Sequence, residues 1–287
     1  LKNVAKFYHT PEGETEALKD ISFSVCENEF VSVIGPSGCG KSTVLSIIAG
    51  LEKPSGGNVK INGSGTVGYM LQQDHLFPWL TVMENALLGL KIRREENKNS
   101  KKHVDDLLRQ YGLYSFKNAH PQELSGGMRQ RAALIRTLAI NPSVLLLDEP
   151  FSALDSFLKW NLELELSDIL SGFDGPVLWV SHDRGECRRN CENVCVMEEG
   201  LVKNVTTMAL LSESPASAAE AQLMGYKNIL RAERTERGVR FPAWGLEIPA
   251  EIPGGFENAV IPDAAVSAGG KLPFHAVRTI TDLGGDI

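Results

Sequence analysis

Residues 35–43 read GPSGCGKST, a run that fits G-x-x-x-x-G-K-[ST]. Its glycines, Gly35, Gly38 and Gly40, let backbone N–H groups curl around a polyphosphate at a helix N-terminus, with Ser37, Cys39 and Thr43 completing the loop. Lys41 is placed to neutralise the β and γ phosphates, and the Ser42 hydroxyl to ligate Mg²⁺. Residues 144–150, VLLLDEP, end an apolar run in adjacent carboxylates. Asp148 would hold the Mg²⁺ shell, and Glu149 would accept a proton from an attacking water. Residues 124–130, LSGGMRQ, open a helical pattern with Ser125, Gly126 and Gly127, a second phosphate-type cradle. One chain with two cradles and a single lysine-bearing loop implies that the second cradle serves another chain's nucleotide.

These groups must be delivered by a framework, and the first 210 residues supply one. Short β-branched runs alternate there with helical patterns, as expected of a parallel sheet covered by helices. The strand candidates are Phe30–Ile34, Val144–Leu147, Val177–Val180 and Val194–Met197. Three of them feed loops carrying Ser37, Glu149 and His182, and ligands in such sheets sit beyond the carboxyl ends of strands. Between Gln72 and Ala139 the pattern turns helical. Val104, Leu107, Leu108 and Tyr111 fall on one face of an amphipathic helix. This stretch, about 73–139, reads as a helical subdomain inserted into an α/β unit that spans 1–211. Residues 212–224 begin Ser/Ala/Pro-rich and read as a linker or a short surface helix. Residues 225–287 are rich in Pro and Gly, with short alternating pieces that predict a small β module.

The chain has 287 residues and a formal net charge of −7. That acidic balance argues against nucleic acid as a partner, because such binding favours a basic face. No window approaches the roughly 18–20 apolar residues that a membrane span needs. Five cysteines, an odd number in a long chain, do not form a secreted disulfide framework. A soluble, cytosolic protein is expected. Cys187, Cys191 and Cys195 recur every four residues but lack a nearby His or a C-x-x-C pair, so they read as structural. Cys39 is either a small side chain suited to a tight loop or a thiol whose modification would block the phosphate site.

The glycine-rich loop and the Asp-Glu pair by themselves describe a P-loop NTPase. With the segment LSGGM at 124–128 the sequence resembles the ATP-binding cassette (ABC) transporter family, over residues 1–211. Residues 152–155, SALD, are similar to the family's D-loop, Gln72 aligns with the Q-loop glutamine, and His182 aligns with the switch histidine. Tyr8 sits where the family places an aromatic ring against adenine. The resemblance implies an α/β P-loop core with an inserted helical subdomain, hydrolysing ATP with Mg²⁺. It implies a head-to-tail homodimer in which Ser125, Gly126 and Gly127 of one copy meet the nucleotide held by the other. Gln72 would then reach Mg²⁺ and the attacking water, and His182 would bond the γ-phosphate.

Residues 74–85 are similar to the stretch through which the importer branch meets its permease, and Phe77, Trp79 and Leu80 would offer the apolar contact. The implied partners are a second copy, an integral-membrane permease and, through it, an external solute-binding protein. The implied location is the cytoplasmic face of the inner membrane. A small anion (nitrate, sulfonate, molybdate or sulfate) or ferric iron is the expected cargo. Residues from 225 onward resemble the start of an oligonucleotide-binding-like β module, and the chain stops where a further strand is expected. The alternative is a non-transport ABC ATPase acting on nucleic acid or the ribosome. The compact helical subdomain and the acidic charge weigh against it.

Overall fold

The computed structural model describes residues 1–11, 13–62, 65–151, 159–160, 163, 166, 170, 172–181, 183–226, 228–236, 238–248, 258–261 and 275–277. They form two compact units, Leu1–Val205 and Thr206–Ile287.

The first unit is built on a six-stranded sheet ordered β5 (Val67–Met70), β6 (Val144–Asp148), β7 (Val177–Val180), β3 (Phe30–Ile34), β8 (Asn193–Glu198), β9 (Leu201–Thr207). From β5 to β8 every neighbouring pair is parallel. Every residue of β6 and β7 is buried, as expected where helices cover both faces of a parallel sheet. Strand alternation then divides these residues between two cores. Leu145, Leu147, Val177 and Trp179 join one apolar cluster, and Val144, Leu146, Leu178 and Val180 join the other. The second cluster is closed by helix α1 (Lys41–Ile48) through Val44, Leu45 and Ile48. A smaller antiparallel sheet, ordered β2 (Gly13–Ile21), β1 (Lys2–Thr10), β4 (Gly56–Asn58), adds Val4, Leu18 and Ile21 to it.

The first cluster is filled by the helical stretch. Helix α2 (Val82–Ile92) starts at a Thr81–Glu84 capping box, and α3 (Lys98–Gln110) starts at an Asn97–Ser100 one. Helix α4 (Gly126–Leu138) is capped by Ser125. Val104, Leu107, Leu108 and Tyr111 all turn into this core, together with Ala86 and Leu90 of α2 and Ile135 of α4. Asn85 is wholly buried among them and holds the preceding loop. Its side-chain oxygen accepts from Phe77 N–H at 2.8 Å, and its amide nitrogen donates toward the carbonyls of Phe77, Leu80 and Thr81.

Helix α5 (Arg184–Asn190) follows β7. Cys187 on it, Cys191 at its end and Cys195 on β8 are buried, and the Ser32 hydroxyl donates to Cys187 Sγ at 2.9 Å. Burial pushes the Cys187 thiol up to about 11 and the Cys195 thiol up to about 12. It raises Cys191 and Cys39 as well. Among the described residues no group of three or more His, Cys, Asp or Glu side chains could hold a metal ion. No described helix is long and apolar enough to cross a membrane.

In the second unit, residues 212–224 are largely helical, in α6 (Met208–Glu213) and α7 (Ala218–Met224). Two antiparallel three-stranded sheets follow. One is ordered β10 (Asn228–Arg231), β14 (Asn258–Ile261), β15 (His275–Val277), and the other β11 (Glu233–Thr235), β12 (Gly238–Phe241), β13 (Leu246–Ile248).

Two outcomes test this packing. Asn85→Ala leaves the Phe77 N–H and several carbonyls without their buried partner, so it lowers the unfolding free energy by about 1–3 kcal/mol in denaturant titration. A thiol-titrating disulfide reagent at pH 8 meets one fast cysteine, the exposed Cys26, in the native protein and all five after denaturation. The buried thiols are protonated well above that pH, so raising pH within the native range exposes no further fast thiol.

Candidate active site

The carboxyl ends of β3, β5 and β6 meet at one edge of the sheet. Beyond β3, residues 35–40 turn sharply into α1. Gly40, immediately before that helix, has φ 102°, and a Cβ there would lie 2.6 Å from Leu18 Cδ2 and 2.8 Å from the Ala17 carbonyl. Gly38 has φ 80° but open space around it. Helix α1 has no side-chain cap and no acidic residue in its first turn. Its leading N–H groups therefore present the positive end of the helix dipole to whatever lies beyond. Lys41 is only 7% exposed, and its ammonium donates to the carbonyls of Gly35 and Pro36, each at 2.9 Å.

Asp148, the last residue of β6, is 5% exposed and receives hydrogen bonds on both oxygens. The Ser42 hydroxyl donates to Oδ1 at 3.2 Å and the Tyr69 hydroxyl donates to Oδ2 at 3.1 Å. Burial raises the Asp148 pKa above the usual carboxylate value, and the two donated bonds pull against that rise. Burial, with the Asp148 charge next to it, holds the Tyr69 phenol well above its ordinary range, so it stays a donor. A carboxylate and a hydroxyl at this separation make an all-oxygen donor pair. That chemistry suits a hard divalent cation such as Mg²⁺.

Glu149 follows in the left-handed region at φ 46°, a conformation that costs a non-glycine residue about 1–3 kcal/mol. Its N–H donates to the Val180 carbonyl at 2.9 Å, which ties the strained residue to β7. Its carboxylate accepts from Gln72 Nε2 at 3.0 Å. The structure thus brings Lys41, Ser42, Gln72, Asp148 and Glu149 to one place, from segments far apart in sequence.

Tyr8 on β1 comes to the same end of α1, close enough for Thr43 to act on the pKa of its hydroxyl. That hydroxyl donates to Glu52 Oε2 at 2.9 Å. The Lys6 ammonium lies 2.7 Å from the same carboxylate oxygen and 4.9 Å from the Tyr8 ring centroid. Ser125 lies elsewhere, at the N-terminus of α4, where its hydroxyl accepts from Met128 N–H at 3.3 Å. Gly126 and Gly127 form the first turn of that helix, which also lacks acidic residues there. Among the described residues no hydrogen bond joins this second cradle to Lys41, Ser42, Asp148 or Glu149. It is linked indirectly, through the segment after Gln72. Arg129 Nε donates to Asp74 Oδ2 at 3.2 Å, and Arg136 donates to the carbonyls of Asp74 and His75 at 2.7 and 2.6 Å.

His182 and residues 152–155 lie outside the described residues. Their neighbour Asp183 is described: it caps α5 and meets Lys159 at 2.7 Å, which also meets Glu186 at 2.6 Å. Tyr69, Glu52 and Lys6 are site-lining groups that no sequence motif marks. Only the place of Tyr69, three residues before Gln72 on a strand, offered a signal.

The two glycines separate in a simple test. Gly38→Ala meets only the backbone penalty, about 1–2 kcal/mol. Gly40→Ala adds overpacking against Leu18 and Ala17 and costs about 1–3 kcal/mol more, read as the larger drop in thermal midpoint.

This geometry agrees with what the chain is similar to. The family model described as ABC transporter matches residues 18–152. The uncharacterised ABC transporter ATP-binding protein YtlC of Bacillus subtilis (strain 168) is 50% identical over 192 residues, 65% of this chain and 74% of YtlC. The sulfate/thiosulfate import ATP-binding protein CysA of Pectobacterium atrosepticum is 33% identical over 276 residues, 92% of this chain and 82% of CysA. Among solved structures, the dimeric post-hydrolysis state of the ATP-binding cassette MJ0796, bound to ADP and Pi, matches with a TM-score of 0.64 at 33% identity. That match covers 72% of this chain and 97% of the other. A shared fold over nearly the whole of a solved cassette, with relatives followed over most of their length, establishes that the chain belongs to the ABC transporter family.

Proposed function

We propose that the chain is the ATP-binding and ATP-hydrolysing subunit of an importer, working as a head-to-tail dimer on a separate membrane permease. The observation that carries this reading is the pair of contacts Ser42–Asp148 and Gln72–Glu149, which set a cation-binding pair beside a carboxylate and its amide partner. Tyr8 stacks on the adenine, a contact worth about 0.5–1.5 kcal/mol beyond the area buried. The N–H groups of residues 35–43, including Gly35, Ser37, Gly38, Cys39 and Gly40, with Thr43 after them, wrap the phosphates. Lys41 exchanges its loop carbonyls for phosphate oxygens. Ser42 and Asp148, with Gln72, would hold Mg²⁺, which would supply charge neutralisation to the phosphates.

Glu149 takes the proton from the attacking water, and Gln72, bonded to the same carboxylate, orients that water. His182 bonds the γ-phosphate. Ser125, Gly126 and Gly127 of the second copy close over the nucleotide, adding charge-assisted contacts made only in the closed dimer. The likeness to a cassette solved as a dimer supports this arrangement.

The permease surface is the loop that Asn85 holds. Trp79 is 69% exposed and Phe77 37% exposed, with their rings 5.2 Å apart, an apolar pair of the kind that seats a partner helix. Leu80 is half-buried beside them. The subunit then sits at the cytoplasmic face of the inner membrane, and an external binding protein delivers the solute to the permease. A small anion is the cargo we favour, a reading supported by the likeness to a relative named for sulfate/thiosulfate import.

Glu149→Gln is the direct test. It slows steady-state phosphate release by about 10²–10⁴-fold. With ATP it accumulates as a dimer in sedimentation, and adding Ser125→Arg returns it to monomer. Turnover at the wild-type rate would remove Glu149 from the base role, and an ATP dimer that survives Ser125→Arg would remove the second cradle.

A further inference from the structure

Strand alternation places Tyr69, Leu146 and Asp148 on the face of the sheet that α1 covers: β5 and β6 run parallel with Tyr69 opposite Leu146, and Tyr69 packs against the core cluster that holds Leu146, Val44 and Leu45. Helix α1 presents two hydroxyls to that face, Ser42 and Ser46, one turn apart on the same side of the helix. Ser42 bonds Asp148 Oδ1 directly at 3.2 Å. The Tyr69 hydroxyl donates to Asp148 Oδ2 at 3.1 Å, while Ser46 acts on the Tyr69 phenol in the direction that lowers its raised pKa. The carboxylate is therefore gripped from both ends of its O–C–O plane, by two donors that arrive from two different elements.

We propose that Tyr69 is a positioning residue that fixes the orientation of the Asp148 carboxylate and thereby sets how tightly the site holds its divalent cation. The inference rests on the metal-holding role given to Ser42 and Asp148 above. Those two groups would hold the cation, and Tyr69 bonds Oδ2, the carboxylate oxygen that Ser42 does not. A carboxylate on the end of a strand is free to rotate about its last bond. The Tyr69 bond removes that freedom. Groups of this kind, which bond a ligand rather than the metal, govern metal affinity in other sites. Among the described residues Tyr69 makes no hydrogen bond to residues 35–43.

The test uses the full chain with ADP and Mn²⁺ as the probe cation, read by electron paramagnetic resonance. Tyr69→Phe, which keeps the ring and removes only the hydroxyl, weakens Mn²⁺ binding to the ADP complex by about tenfold. ADP affinity measured in EDTA stays at the wild-type value, a split that general loosening of the fold would not produce. Tyr69→Leu likewise lacks the hydroxyl and gives a loss in the same direction, and it carries the test if Tyr69→Phe does not fold. Wild-type Mn²⁺ affinity in Tyr69→Phe, or in Tyr69→Leu in that event, overturns the proposal. Equal losses of ADP affinity with and without cation also overturn it, because Tyr69 would then be shaping the pocket as a whole. If the wild-type ADP complex itself binds no Mn²⁺, the metal role of Ser42 and Asp148 fails first, and the role of Tyr69 falls with it.

Discussion

Burial on both faces governs the first unit. Strands β6 and β7 are sealed between two apolar cores along their whole length, so polar chemistry has room only where the strands end. Asp148 occupies that boundary: it is the last strand residue, almost without solvent, and it survives there as a carboxylate-bearing group because Ser42 and Tyr69 bond it. The cost of placing a carboxylate at the rim of a dry core is offset by those donors, and the same donors fix where its oxygens point. The next residue has already left the strand, at a left-handed φ that turns its side chain toward Gln72.

Much of this was legible in the amino-acid order because the informative signals are local. The strand runs are continuous apolar stretches, and they appear within a residue or so of their expected ends. The glycine loop and the Asp-Glu pair announce themselves by type and spacing within nine residues or fewer. What the order did not display is long-range. Tyr69 and Asp148 are 79 positions apart, and Tyr8 and Glu52 are 44 apart. No periodicity marks a tyrosine whose hydroxyl is destined for a carboxylate on another strand. Asn85 was equally silent, since a polar residue inside a helical pattern gives no sign that it will serve a loop up to eight residues before it. In the second unit the short alternating pieces pointed to strands, but pieces of three or four residues carry no pairing information, and the two separate sheets had no local signature.

The segment after β5 joins two regions that the sequence presents as separate motifs. At one end Gln72 bonds Glu149; two and three residues later the chain is fastened to α4 by Arg129 and Arg136. Helix α4 is the one that carries Ser125, Gly126 and Gly127 at its start. A displacement of Gln72 is therefore resisted or followed by that helix, which makes the second cradle mechanically continuous with the Glu149 carboxylate.

Asn85 gives the exposed aromatic pair a property that exposure alone would not. Its bonds to Phe77, Leu80 and Thr81 pin the backbone of the loop on both sides of Trp79. Loops that become ordered only on contact lose conformational entropy at that moment, and the loss is subtracted from affinity. Here the ordering is completed during folding, inside the domain, by one buried amide. Whatever covers this surface gains from this in speed as much as in strength, because neither docking nor departure has to wait for the loop to find its shape.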